Sequence, residues 1–285
     1  MKFLKKLACA AAVAMSVAGG ANAATVLNDW HFNPTGGGFA GSQQINEYLD
    51  VNGNAFIQIT PNGGTSFSFT EHAVFNISQA DSNFALFPVN FPGGNITATF
   101  EATGTGNFSG AFTFTGGTIR MFQNPTGGQY ATSAGTYGAD LGNEIAVFNV
   151  MAGGGGNVDA SGSPVNNGQV SVLAKIQQGS MDAGYFFREN GDDLSMESIM
   201  AFAFTNANTI ANPDGTLVSE VACEFAGFAG PGCGSGTYQN TANYFFVSNN
   251  GQFKLAEVPE PGSLALFGIA MLGAGFVSRK RAKKA

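Results

Sequence analysis

The chain is poor in the residues that most often do chemistry. It has two histidines, three cysteines and one tryptophan among 285 residues. Between Ala24 and Glu257 only four cations occur, Arg120, Lys175, Arg188 and Lys254, against 18 carboxylates, a balance of −14. So acidic a body repels nucleic acid and anionic lipid. No G-x-S-x-G elbow and no phosphate-binding glycine loop is present, which argues against serine hydrolases of that type and against nucleotide binding. Carboxylates do not form an obvious glycosidase pair. Glu101, Asp140, Glu144 and Glu189 are scattered, and the adjacent Asp192 and Asp193 would face opposite ways on a strand. Sugar platforms are few, with Trp30 alone and six spread tyrosines. The expectation is a protein that is not an enzyme and needs no cofactor.

Metal ligands are equally sparse. His31 and His72 each follow an acid, in Asp29-Trp30-His31 and Glu71-His72. They would form a metal site only if their strands were neighbours, which nothing in the sequence requires, so they read as surface or turn histidines. "DVNGN" (50–54) starts like a calcium loop, but its glycine falls early and Pro61 stands where a bidentate Glu is needed, so it reads as a turn. No metal site is expected, although loose calcium binding by acidic loops such as "ENGDD" (189–193) stays open.

Glycine and phenylalanine are abundant, with 41 and 27 copies. Phe supplies strand core, which separates this chain from a disordered Gly-Asn filler. Apolar and polar residues alternate in "AFIQIT" (55–60), "TSFSFT" (65–70), "AVFNIS" (73–78), "ITATFEA" (96–102), "GAFTFT" (110–115), "IAVFNVM" (145–151), "QVSVLAKI" (169–176) and "NYFFVS" (243–248). That period marks half-buried strands. "TPNGG" (60–64), "NPTGG" (124–128) and "NPDG" (212–215) read as turns, and "VSNNGQFKL" as a tight hairpin. The glycine-rich 152–168 reads as a long surface loop. "DDLSMESIMAFAF" (192–204) is either the best helix candidate or one more strand. The fold class is all-β, an antiparallel β-sandwich or jelly-roll-like single domain.

Both ends look like processing segments. Residues 1–23 have a basic start, an apolar stretch and Ala21-Asn22-Ala23 before Ala24, the layout of a signal peptide for the Sec machinery and signal peptidase. The domain then spans 24–257. After removal of the leader, which contains Cys9, the cysteines left are Cys223 and Cys233. An even pair in an exported chain most simply forms a disulfide. Residues 258–285 read Val258-Pro259-Glu260-Pro261, then an apolar run, then Arg279, Lys280, Arg281, Lys283 and Lys284. The uncharged, apolar or glycine core, Leu264 to Val277, would span about 21 Å as a helix, short of the ~30 Å hydrocarbon core. The basic cluster after it should stay cytoplasmic, leaving the domain outside the inner membrane.

Those three ordered parts resemble the PEP-CTERM sorting signal. The resemblance implies recognition of Pro259, Glu260 and Pro261 by an exosortase, transient residence in the inner membrane of a Gram-negative bacterium, and release to the cell surface or extracellular matrix. The body resembles the flocculation-associated PEP-CTERM protein (PepA) family through "LNDWHFNP" (27–34), "INEYLDVNG" (45–53) and "TEHAVF" (70–75). That likeness implies a role in cell aggregation and exopolysaccharide retention, with no catalytic residues. Two alternatives stand beside it: a secreted carbohydrate-binding or carbohydrate-active domain, and a simple membrane-anchored envelope protein.

Overall fold

The computed structural model describes residues 24–82, 85–91, 95–127, 129–164 and 168–258. The leader, with Ala21 and Ala23, lies outside them. So do Pro259, Glu260, Pro261, the apolar run and the basic cluster at Arg279, Lys280, Arg281, Lys283 and Lys284. The strands are β1 (Thr25–Val26), β2 (Trp30–Phe32), β3 (Gln43–Ile45), β4 (Tyr48–Gly63), β5 (Ser66–Ser82), β6 (Ala85–Pro88), β7 (Asn95–Asn107), β8 (Ala111–Asn124), β9 (Asn143–Val150), β10 (Gly153–Asn157), β11 (Gln169–Met181), β12 (Phe186–Phe187), β13 (Ile199–Thr209) and β14 (Tyr244–Glu257). Val26–Ala256 forms one compact unit.

Alternation decides which way each wall residue points. On β4, Leu49, Val51, Ala55 and Ile59 are buried on one face; on β5, Phe67, Phe69, Ala73 and Ile77 are. The opposite face carries Ser66, Ser68 and Thr70 on β5 and Thr103 and Thr105 on β7. The strands follow chain order around the sheet: β4, β5, β7, β8, β9 with β10, β11, β13, β14. β14 then pairs antiparallel with β4, from Tyr244 opposite Gln58 to Lys254 opposite Tyr48. The wall therefore closes on itself as an up-and-down barrel with the apolar faces inside, and closure removes the open edges. The expected all-β antiparallel domain is present, and its strands run as a closed meander without the crossings of a jelly roll.

Three segments with turn-like or loop-like composition lie in the wall. β9 and β10 share one position in it, since both pair with β8 and β11. β10, Gly153–Asn157, is four glycines and one asparagine, expected to be loop; with a single side chain it shows no alternation, yet its backbone continues the ladder. A Cβ on Gly155 would stand 2.0 Å from the Phe112 carbonyl oxygen, so the close approach needs glycine there. "DVNGN", read as a turn, lies within β4. "VSNNGQFKL", read as a hairpin, lies within β14. The two segments are partners, with Asn52 opposite Asn250 and Asp50 opposite Gln252. Asn and Gly permit turns without requiring them, and pairing along both strands outweighs the local preference.

Aromatic packing fills the barrel. The Phe69 ring occupies the space over Gly104, 2.3 Å from where a Cβ would be, and Phe67 covers Gly106 in the same way. One end is closed by a small sheet, β12-β2-β3, whose Trp30, Phe32, Ile45 and Phe186 join the barrel core. Phe186 stacks with Trp30 at 6.3 Å and packs on Phe32 at 5.1 Å. Polar anchors fix this plug. The Tyr185 hydroxyl donates to Gln123 Oε1 (2.6 Å), and Gln123 Nε2 donates to the Pro34 carbonyl (3.1 Å). The Asp81 carboxylate accepts from the Glu47 and Tyr48 amides at 2.9 and 2.7 Å.

A second core lies outside the wall. Phe56, Val74 and Phe246 point outward yet are buried. They are covered by a helical segment that starts as α-helix at Gly215–Leu217, capped by Asp214, and continues as a π-helix over Val218–Phe225. Leu217, Val218, Val221 and Ala222 form its buried face. Cys223 and Cys233 are joined as expected, with Cα atoms 5.5 Å apart. The helix candidate at 192–204 is a short 3-10 turn, Leu194–Met196 capped by Asp193, followed by β13.

Candidate functional site

The outer wall carries a groove of about 570 Å³ across β10, β11, β13, β14 and β4. Cross-strand register builds it. Ser171 faces Phe204, Gln169 faces Asn206, and Gln252 faces Asp50. Glycines bring the strands together beneath it: a Cβ on Gly251 would meet the Phe204 carbonyl oxygen at 2.0 Å. Asn157, Gln169, Asn206 and Asn250 are exposed along the groove, and their amides make no hydrogen bond within the described residues. Phe204 is the apolar element, 48 % exposed. The Lys254 ammonium lies 5.9 Å from its ring centroid and 5.6 Å from that of Tyr48, and pairs with Glu47 at 2.5 Å. Among the described residues Asp50 is the single carboxylate lining the groove, and partial burial raises its pKa. The surface thus combines planar amide donors and acceptors, one aromatic face and little charge.

The other sequence candidates are kept apart. His31 lies in the small sheet, where its Nδ1 is 3.0 Å from Ser42 Oγ and its ring packs on Phe39. His72 lies on the barrel wall, opposite Glu101 and against Phe225. Among the described residues no group of three or more His, Cys, Asp or Glu is placed to hold a metal ion. Several of these carboxylates have local partners. Asp140 accepts from the Thr136 amide and hydroxyl at 2.7 and 2.8 Å. Glu144 pairs with Arg120 at 2.7 Å, and Asp193 accepts from the Gly184 amide at 2.7 Å. Ala24, the residue after the expected leader cut, is part-buried at the start of the described chain.

Several residues that carried the family likeness are structural. Trp30 and Phe32 fill the plug, and Asn33 folds the next turn by donating to the Gly38 carbonyl at 2.6 Å. Sequence reasoning missed two features. The groove could not be seen because its residues come from five strands whose order was unknown. Glu71, seen only as a neighbour of His72, is a buried carboxyl inside the barrel.

Fold and surface together define a closed antiparallel β-barrel with an acidic body and a neutral, amide-rich groove. From the last residue of β14 onward, residues 257–281 match the family model described as the PEP-CTERM protein-sorting motif. That motif marks an exported protein, processed by an exosortase and destined for the cell surface or extracellular space. No curated protein and no solved structure matches the chain. Among the described residues no helix is long and apolar enough to cross a membrane.

Proposed function

We propose that the barrel is a non-catalytic matrix protein that holds exopolysaccharide in the outer groove and so promotes flocculation of the cells that export it. The observation that carries this reading is the groove itself. Four exposed amides and the Phe204 ring suit neutral sugars, whose hydroxyls both donate and accept and whose ring faces pack on aromatics. Glycoside hydrolysis ordinarily uses two carboxylates flanking the bond, whereas among the described residues Asp50 is the one carboxylate lining this groove, which favours binding over cleavage. The acidic body helps keep the released protein soluble and away from anionic surfaces.

Binding of residues 24–258 to exopolysaccharide from the producing cells tests the reading. The doubly substituted Phe204→Ala, Asn250→Ala protein should bind at least ~10-fold more weakly, a loss of about 1.4 kcal/mol, with an unchanged melting temperature. Cells lacking the gene should still make polysaccharide but fail to settle as flocs. Unaltered binding by the double variant would place the glycan elsewhere. Sugar release from the polymer by the purified protein would establish an enzyme instead.

A further inference from the structure

The barrel interior is not completely filled. A cavity of about 60 Å³ is bounded by Val51, Phe75, Ile77, Met121, Val172 and Phe253, all pointing inward from the wall. A second, of about 30 Å³, lies towards the end covered by Val158, Gly162 and Pro164. Glu71 and Asn249 line both cavities. With Thr205, which lines the larger cavity, they are the polar residues of a mainly apolar lining. Along the wall Glu71 is flanked by Ile57 and Ala102, and Asn249 by Gly53.

Neither group has a partner among the described residues. The Asn249 Nδ2 is buried without a hydrogen bond. The Glu71 carboxyl makes no hydrogen bond or ion pair within the described residues, and burial alone raises its pKa from 4.5 to about 7. Leaving a buried amide and a buried carboxyl unpaired is destabilising, more so where charge persists. An apolar pair of the same volume would avoid that cost, as the surrounding Phe, Ile and Val positions do. An unpaired acceptor and an unpaired donor bordering empty space are what a polar ligand would complete.

We propose that the barrel interior binds a small, mainly apolar molecule carrying hydroxyl groups. A hydroxyl can donate to Glu71 or accept from Asn249, while the hydrocarbon remainder lies against Phe75, Met121 and Phe253. Eight-stranded barrels have interiors at the limit between fully packed and able to hold one small ligand. Each water needs about 10–15 Å³, so the larger cavity has room for a molecule of about four to six heavy atoms. This site lies on the inner face of the wall and the proposed polysaccharide groove on its outer face, so its test does not depend on that groove.

The probe is cyclopentanol, with cyclopentane as the matched hydrocarbon, titrated into residues 24–258 carrying 13C-methyl methionine. Cyclopentanol should shift the Met121 methyl resonance saturably, raise the melting temperature, and bind at least tenfold more tightly than cyclopentane. Glu71→Met should reduce that preference to within about twofold while leaving hydrocarbon binding intact. Should the variant not fold, the wild-type comparison and a crystal structure grown with cyclopentanol still decide the matter. No saturable shift with either probe, or ordered water alone in the cavities at high resolution, overturns the proposal. Equal affinity for the two probes overturns it as well.

Discussion

Glu71 and His72 are consecutive residues on opposite sides of the barrel wall. The Glu71 side chain faces the enclosed interior, and His72 faces outward against Phe225, ring centroids 5.0 Å apart. The two-residue period of a strand makes this unavoidable once β5 enters the wall. Their pKa values move in opposite directions for one reason. Burial disfavours charge, so the Glu71 carboxyl rises and the His72 imidazole falls, the latter against the opposing pull of Glu101. Neither arrangement supports the metal-binding reading of an acid followed by histidine.

Glu71 should make stability depend on pH. Its carboxyl titrates at about 7 in the folded barrel and at an ordinary 4.5 when unfolded. Below pH 4.5 both states are protonated, and the favourable protonated carboxyl is fully retained. As pH rises from 4.5 through about 7 the unfolded chain releases its proton first, and stability falls by roughly 3 kcal/mol in all. Urea unfolding of wild type and Glu71→Gln between pH 4 and 8 measures this. The variant should gain relative to wild type across that window, with the difference levelling off above pH 7. A constant difference would mean that the carboxyl is not enclosed.

The Cys223–Cys233 bridge holds the outer cover rather than the barrel. It closes a loop with a sequence separation of 10 residues behind the helical segment lying on Phe56, Val74 and Phe246. In the chain-entropy model a loop of that length contributes about 2–3 kcal/mol. Cys223→Ser, Cys233→Ser should lower the midpoint of unfolding accordingly. Amide exchange should rise first in 215–225 and only later in β7 and β8, whose ladder does not involve this cover. Uniform loss of protection across the wall would contradict that division.

Gly104 tests the aromatic filling. Its missing side chain admits the Phe69 ring, and Thr113 presses from the next strand with its carbonyl oxygen 2.5 Å from the Cβ position. Gly104→Ala should therefore destabilise by roughly 1–3 kcal/mol through overpacking, despite the usual strand preference for Ala over Gly. Gly116, with open space at its Cβ position, is the control and should tolerate Ala within ~0.5 kcal/mol. Thermal melting of the two variants makes the comparison.

Strand identity was legible because alternation survives in each segment, and "AFIQIT" correctly placed Ala55, Ile57 and Ile59 on one face. Closure was not, because it depends on β14 meeting β4 across almost two hundred residues, and no local pattern records that pairing. The polyglycine strand was illegible for lack of side chains. The helical cover escaped notice because its apolar period, Leu217, Val218, Val221, Ala222, runs for fewer than two full repeats. Phe56 and Phe246 sit on the wet faces of their strands. Only the presence of the cover explains them. The groove and the interior pair join residues far apart in sequence, so composition could exclude chemistries there but could not assemble a site.

The sorting motif makes a prediction about the mature chain that is independent of the barrel. Its match begins at residue 257, where β14 ends, so removal of the tail leaves the ladder from Tyr244 to Lys254 paired with β4. Processing should therefore leave the fold and melting temperature of the barrel unchanged. Intact mass of the extracellular protein should begin at Ala24 and lack the peptide from Gly262 to Ala285. Any mass beyond the trimmed chain would measure what replaces the tail. Glu260→Ala or deletion of Pro259–Pro261 should retain the protein in the cell membrane fraction with its basic terminus intact. Extracellular protein that still carries Arg279 and Lys280 would show that the segment serves as an anchor or is simply carried along, and exosortase processing would not be what releases the barrel.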